Sequence, residues 1–257
     1  MVSALASAGW LRFPAEASTL AWASAALPHA MAAVSSPDAD WRSGGTWLVG
    51  LEALPNARDG SVDSVPFVGA AARAVGTTFG PPVWHRAQLS VTWPGYPRPS
   101  AGESETAFGY RLRRDAAHVD GLLAIGPDRR RMLKEPHAFI LGIGLNDSEA
   151  GAAPLAVWEG SHHIVARAFR SALSGLPAEA WGDVDLTECY QAARREIFAT
   201  CARHLVPLRA GEAVLMHRML LHGISPWAEG AIAPPEGRAT AYVRPLLNSV
   251  EEWMGPS

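Results

Sequence analysis

In the second half of the chain, apolar residues come in short runs, many of them alternating with polar ones and bounded by Gly, Pro and Asn. Runs of that length and period predict β-strands. Arg86-Ala-Gln-Leu-Ser-Val-Thr-Trp93 alternates, which puts Gln88, Ser90 and Thr92 on one face. Ala138 to Asn146 is nearly all apolar and predicts a buried strand; Pro154 to Trp158 predicts another. The latter runs into Glu159-Gly-Ser-His-His163, a turn in which His162 and His163 start a helix. Val206 to His217 predicts two short strands around a Gly turn, and His222-Gly-Ile-Ser225 follows. Arg238 to Arg244 alternates polar and small apolar residues, as a half-buried strand does. At least seven strands are expected between Val83 and Leu246.

Helical periodicity is confined to fewer places. Glu16 to Val34 is a helical pattern interrupted at Pro28, and Pro66 to Val75 predicts a second short helix. Thr187 to His204 is the clearest helix, with Thr187 as its cap and Tyr190, Ala193, Ile197 and Cys201 as an apolar stripe. Ser35–Asp40 and Asn56–Ser64 are expected to be loops. Pro94 to Glu105, rich in Pro, Gly and Ser, is long enough to act as a lid or binding segment. The expected architecture is mainly β with flanking helices, one domain over residues 1–257. Within it, residues 1–80 form a mostly helical flank and 83–246 a β core.

Composition narrows the class of function. Nearly half of the 257 residues are apolar, enough for a sizeable core. A formal net charge of −3 speaks against nucleic acid, whose phosphates need a basic surface. No apolar run approaches the ~18 to 20 residues that cross a bilayer. The Ala-rich start lacks a basic segment and carries Glu16, so a signal peptide is not expected. Cys189 and Cys201 lie too far apart along the predicted helix to bridge. Two buried thiols fit a reducing cytoplasm.

The chemistry centres on His118-Val-Asp120-Gly121, joined a hundred residues later by His222-Gly223 and Arg238. On an extended segment, His118 and Asp120 point the same way and can reach one ion, with Val119 facing opposite. A histidine from a distant strand completes two imidazoles and one carboxylate on one side of a metal. That set leaves the other side open, as a non-haem Fe(II) oxygenase requires. Arg238 is a fixed cation suited to a dicarboxylate co-substrate.

The order of motifs from Gln88 to Arg244 is His-x-Asp-Gly, an apolar strand ending in Asn-Asp, a Gly-Ser-His turn, Ala-Gly-Glu, His-Gly and Arg. In this it resembles the phytanoyl-CoA dioxygenase-like family of Fe(II)- and 2-oxoglutarate-dependent oxygenases. The resemblance covers about 60% of the chain and implies a double-stranded β-helix core, of jelly-roll, cupin-like form. It implies Fe(II), 2-oxoglutarate and O2 as cofactors and co-substrates, with hydroxylation of a small molecule and release of succinate and CO2. By the resemblance, His118, Asp120 and His222 are the iron ligands and catalytic centre. Arg238 binds 2-oxoglutarate, with Gln88 nearby. Two departures stand out: Ile224 occupies a position where the family often has a serine, with Ser225 one place later as the candidate contact. The stretch Ala231–Gly237 also lengthens the loop before Arg238.

Two other classes remain open at this point. A zinc-dependent hydrolase uses a similar ligand set but needs a general base, and none stands near His118 in the sequence. A non-catalytic metal- or small-molecule-binding β-barrel is the second. His217, an odd five residues before His222, is expected on the opposite face, as a core or supporting histidine. His85 can line a pocket. Arg129-Arg-Arg-Met-Leu-Lys134 is expected to be a solvated face, with capture of an anionic substrate as its functional alternative, and Arg111, Arg113 and Arg114 share that ambiguity.

Overall fold

The computed structural model describes residues 2–255, with side chains from residue 4. Among the described residues, strands are β1 (Trp10–Phe13), β2 (Trp41–Arg42), β3 (Trp47–Gly50), β4 (Gln88–Thr92), β5 (Leu122–Ile125) and β6 (Arg130–Leu133). They continue with β7 (Phe139–Gly144), β8 (Leu155–Trp158), β9 (Arg203–Val206), β10 (Ala213–His217), β11 (His222–Ile224) and β12 (Arg238–Val243). Helices are α1 (Val2–Ala8), α2 (Ala17–Val34), α3 (Ala70–Phe79), α4 (Glu105–Arg113), α5 (Ser161–Leu173), α6 (Thr187–Thr200) and α7 (Val250–Met254).

A seven-stranded antiparallel sheet has the order β1-β10-β7-β12-β4-β3-β2, and a three-stranded sheet the order β11-β8-β9. Period-two alternation decides how they stack. In β7 and β10, Phe139, Leu141, Ile143, Ala213 and Leu215 join Trp22, Ala26 and Val75 of α2 and α3 in one core. The intervening Ile140, Val214 and Met216 join Leu155 and Val157 of the small sheet in another. Ala156 and Trp158 face the opposite way, onto Phe169 of α5 and Ile197 of α6. The layers are therefore helix, large sheet, small sheet, helix. This is the mainly β architecture with flanking helices expected from the strand pattern, in the jelly-roll form that the resemblance implies, with its inner space between the two sheets.

Several details differ from expectation for physical reasons. The first eighty residues are not only a helical flank: β1 pairs with β10, and β3 pairs with β4, so both edges of the large sheet are covered from there. These strands are four residues or fewer, too short to leave a period. α2 runs unbroken through Pro28 because Trp22, Ala23, Ala26 and Ala30 are buried on the sheet, outweighing the ~3 kcal/mol cost of an interior proline. α3 starts at Ala70 because its N-terminal donor is capped from afar, by the Glu16 carboxylate on Ala70 N–H. α6 ends at Thr200; residues 203–206 instead pair with β8, and Cys201 lies past the helix. Thr187 is its first residue, not its cap: Asp185 accepts the Thr187 N–H, and the Thr187 hydroxyl accepts Arg131 N–H. The arginine run expected as a solvated face forms β6, hairpinned to β5. β12 is buried on both faces rather than half-buried. Cys189 and Cys201 are both free thiols, and among the described residues no helix is long and apolar enough to cross a membrane.

Candidate metal centre

The approach to the centre is set by glycines. Gly223, inside β11, lies where a Cβ would meet the Asp115 carbonyl oxygen at 2.1 Å. Only a bare backbone lets segment 115–117 lie against β11. That contact lines up His118 and His222 as a two-hydrogen-bond bridge: His118 N–H to His222 O, 2.8 Å, and His222 N–H to His118 O, 3.0 Å. The expected His-x-Asp strand is thus a short extended segment with one bridge. Val119 turns into the helical core as expected, and its N–H donates to the Tyr190 hydroxyl at 3.0 Å.

His118, Asp120 and His222 come together, one ligand atom from each lying within 4.8 Å of the others. Asp120 Oδ1 is 3.1 Å from His118 Nε2 and 3.7 Å from His222 Nε2. Each imidazole turns its Nδ1 to a backbone carbonyl two residues back, Ala116 O at 3.1 Å and Leu220 O at 2.9 Å. A carbonyl can only accept, so Nδ1 carries the proton and Nε2 presents its lone pair to the cluster. Burial raises the Asp120 carboxyl, but the hydrogen bond that His118 donates when protonated, the charges of His222 and His118 in that form, and the permanent Arg244 charge outweigh it. The group is held well below the ordinary carboxylate range. Burial drives His222 down to about 4, against the pull of Asp120. At neutral pH the buried pair is an ionised carboxylate and a neutral imidazole, the states a metal needs.

Arg244, just past β12, holds the outer oxygen of the carboxylate: its Nη1 donates to Asp120 Oδ2 at 3.0 Å. Its Nη2 donates to Gln88 Oε1. His137 turns Nδ1 to the Arg244 carbonyl at 3.1 Å. All of these line one cavity of about 610 Å3, within the range of small-molecule sites.

Arg238 sits at the other end of β12, on the same face as Thr240, Tyr242 and Arg244, opposite the core-facing Ala239, Ala241 and Val243. Arg238 is 2% exposed, and its Nη1 and Nη2 have no hydrogen-bond partner among the described residues. On that face, the Thr92, Thr240 and Tyr242 hydroxyls are also buried without partners among the described residues. Asn146 pins the strand on either side of Arg238, donating to Gly237 O at 2.8 Å and accepting Ala239 N–H at 3.0 Å. Ser225 is engaged elsewhere, accepting from Arg203 Nη2 at 3.1 Å, while Arg203 also forks onto buried Asp115.

His217 lies in β10 of the large sheet rather than beside His222; its ring packs at a tilt against His162 and accepts Met219 N–H. The sequence pattern singled out neither Arg244 as a partner of Asp120 nor the Tyr190 and Asn146 contacts. Each joins residues more than seventy positions apart, beyond the reach of local periodicity.

No family profile matches this chain, and no curated protein matches it. Solved structures do. The non-heme alpha ketoglutarate dependent carbocyclase SnoK from nogalamycin biosynthesis is 15% identical, with a TM-score of 0.52, over 95% of this chain and 81% of its own. The epimerase SnoN, solved with Fe3+, alpha ketoglutarate and nogalamycin RO, gives 16%, 0.53 and the same coverage of 95% and 81%. AviO1 from Streptomyces viridochromogenes Tue57 gives 16% and 0.51, over 96% of this chain and 93% of its own. At such identities the likeness is one of fold alone, a fold shared with the carbocyclase SnoK, the epimerase SnoN and AviO1.

Proposed function

We propose that this protein is a non-haem Fe(II), 2-oxoglutarate-dependent dioxygenase that hydroxylates a small molecule, in the manner of the phytanoyl-CoA dioxygenase-like family. The observation that carries this reading is the convergence of the His118, Asp120 and His222 ligand atoms, with protonation states already suited to a metal. These three side chains would hold the iron. Bound iron and 2-oxoglutarate supply the activation of O2 and the oxidation of a C–H bond, with succinate and CO2 as co-products.

The chain's own residues do the rest. The Ala116 and Leu220 carbonyls fix the tautomers of the two histidines. Arg244 takes up Asp120 Oδ2, so that Oδ1 alone turns to the histidines. An unpartnered guanidinium buried at Arg238 costs several kcal/mol by desolvation, which a bound carboxylate would offset with a forked pair of hydrogen bonds. Arg238 is therefore the proposed anchor for the far carboxylate of 2-oxoglutarate, with the Thr92, Thr240 and Tyr242 hydroxyls as added donors. Gln88 acts through its hold on Arg244. Ser225, already bonded to Arg203, is left out of this set.

Anaerobic titration of the metal-free protein with Fe(II), then 2-oxoglutarate, tests the reading. A visible charge-transfer band should grow in with the second addition, and O2 should then release succinate. A protein that takes zinc, shows no such band and consumes no O2 would end it.

A further inference from the structure

We propose that the substrate is an organic anion whose acidic group is received by Arg131 and Arg194. This rests on the reading of the cavity as a substrate pocket. Five arginines line that cavity. Two are committed: Arg42 pairs with Asp40 at 2.6 Å, and Arg244 with Asp120. Arg86 stands exposed at the rim, with Nε on the Leu54 carbonyl. Arg131 and Arg194 are half-buried, and neither forms an ion pair with a carboxylate among the described residues.

The two are built onto one wall. The Thr187 hydroxyl accepts Arg131 N–H at 2.8 Å, and Leu186 N–H donates to Arg131 O at 2.8 Å, which stitches β6 to the start of α6. Tyr190 and Arg194 lie three and seven residues past Thr187, on the same helix face and about 10 Å along it at most. Two arginine side chains of that spacing can close on one small acidic group. Tyr190 caps the Val119 N–H between two of the proposed ligands, so the wall ends at the metal centre. Tyr190 also feels the charges of Arg194, Arg131 and Asp120 together.

Arg194 is held for recognition rather than for structure alone. Its guanidinium lies over the Tyr110, Tyr190 and Phe198 rings at 5.7, 5.5 and 5.5 Å. Its Nε is buried without a partner. Stacking fixes the plane and leaves the edge N–H groups to a planar or tetrahedral anion. Among the described residues the Arg131 guanidinium makes only a long 3.4 Å contact, to the Leu122 carbonyl. The other carboxylates of the lining do not compensate: Glu52 and Glu135 stand 3.5 Å from His85 and His137 instead. The wall thus carries a positive excess that a neutral substrate would leave unmatched.

The test reads binding of phenyl phosphate, phenylacetate and neutral 2-phenylethanol to the metal-free protein by calorimetry, with and without saturating 2-oxoglutarate. At least one anion should bind about tenfold or more tightly than the alcohol, an advantage of ~1.4 kcal/mol, and 2-oxoglutarate should not displace it. The preferred anion identifies the acid group. Arg131→Met with Arg194→Met, which keeps side-chain bulk, should erase the advantage; the double Lys variant should lose less. Equal binding of the alcohol, displacement by 2-oxoglutarate, or an unchanged double Met variant would overturn the proposal. If the double Met variant is not folded by circular dichroism, the single variants must each lose at least half the advantage, or the proposal falls. Because these readings need no iron, failure of the iron titration would remove the oxygenase reading and leave the anion site standing.

Discussion

Strand β12 opens on one arginine, the buried Arg238, and is followed at once by a second on the same face, the half-buried Arg244, in opposite circumstances. Arg244 is satisfied by Asp120 and Gln88, and its side chain lines the cavity. Arg238 is deeper, and neither of its terminal nitrogens has a partner among the described residues. Six residues of strand separate them by about 20 Å, so they cannot serve one anion. An arginine paired in the protein reports on architecture. One left bare in the interior carries a desolvation cost that a bound anion would offset, since guanidinium cannot escape it by losing its proton.

The comparison can be broken most sharply at Asp120. Asp120→Ala should abolish Fe(II) binding and strand Arg244 as Arg238 is stranded now, while circular dichroism keeps the β spectrum. Iron stoichiometry equal to wild type would remove the ligand assignment.

A buried base that can discharge makes the contrast with Arg238 explicit. Burial pushes His217 down to about 3, helped by the His162 and Arg218 charges, and His222 down to about 4 in the metal-free protein. The unfolded chain takes up these protons near pH 6.5, and the folded chain refuses them until well below. Their contribution to stability is therefore full above about pH 6.5 and is lost as pH falls toward 4 and then 3. The loss is on the order of 3 to 5 kcal/mol for each group. Denaturant midpoints of the metal-free protein between pH 7 and 4 should show it, and His217→Gln should remove about half the slope. A flat profile would contradict the neutral burial of both rings.

Arg238→Ala should raise the apparent 2-oxoglutarate requirement by about 30-fold or more, the loss of a desolvated forked pair worth roughly 2 to 5 kcal/mol. Arg238→Lys should fall between. If Arg244→Ala weakens 2-oxoglutarate and Arg238→Ala does not, the roles of the two ends are reversed.

Without ligand, the same two positions should respond with opposite sign. Arg238→Met removes an uncompensated buried charge and should leave the metal-free protein as stable as wild type or more so. Arg244→Met strands Asp120 Oδ2 and Gln88 and should cost about 1 to 3 kcal/mol by urea unfolding. The smallest effect is expected at Asn146→Ala, which frees the strand around Arg238. It should cost about 1 kcal/mol and weaken 2-oxoglutarate by less than tenfold, measured by calorimetry.

The amino-acid sequence by itself determined the strand pattern from Gln88 to Arg244, because alternation of side chains is a local, period-two property. It also pointed to the residues of the centre, since His118 and Asp120 share a face and the family resemblance adds His222; the close approach at Gly223 that brings β11 alongside came from the fold. It determined the face on which Gln88 and Arg238 lie. Only the tertiary structure decided what those side chains do there. The burial of Arg238 without a partner among the described residues, the clasp of Arg244 on Asp120, the capture of Ser225 by Arg203 and the bond from Arg131 N–H to the Thr187 hydroxyl all depend on distant segments. The starts of α3 and α6 and the continuity of α2 were decided in the same way, by a remote cap, by a hydrogen bond from β6 and by burial on the sheet. Periodicity records which way a residue points; what it meets depends on chain segments that pack against it from elsewhere in the fold.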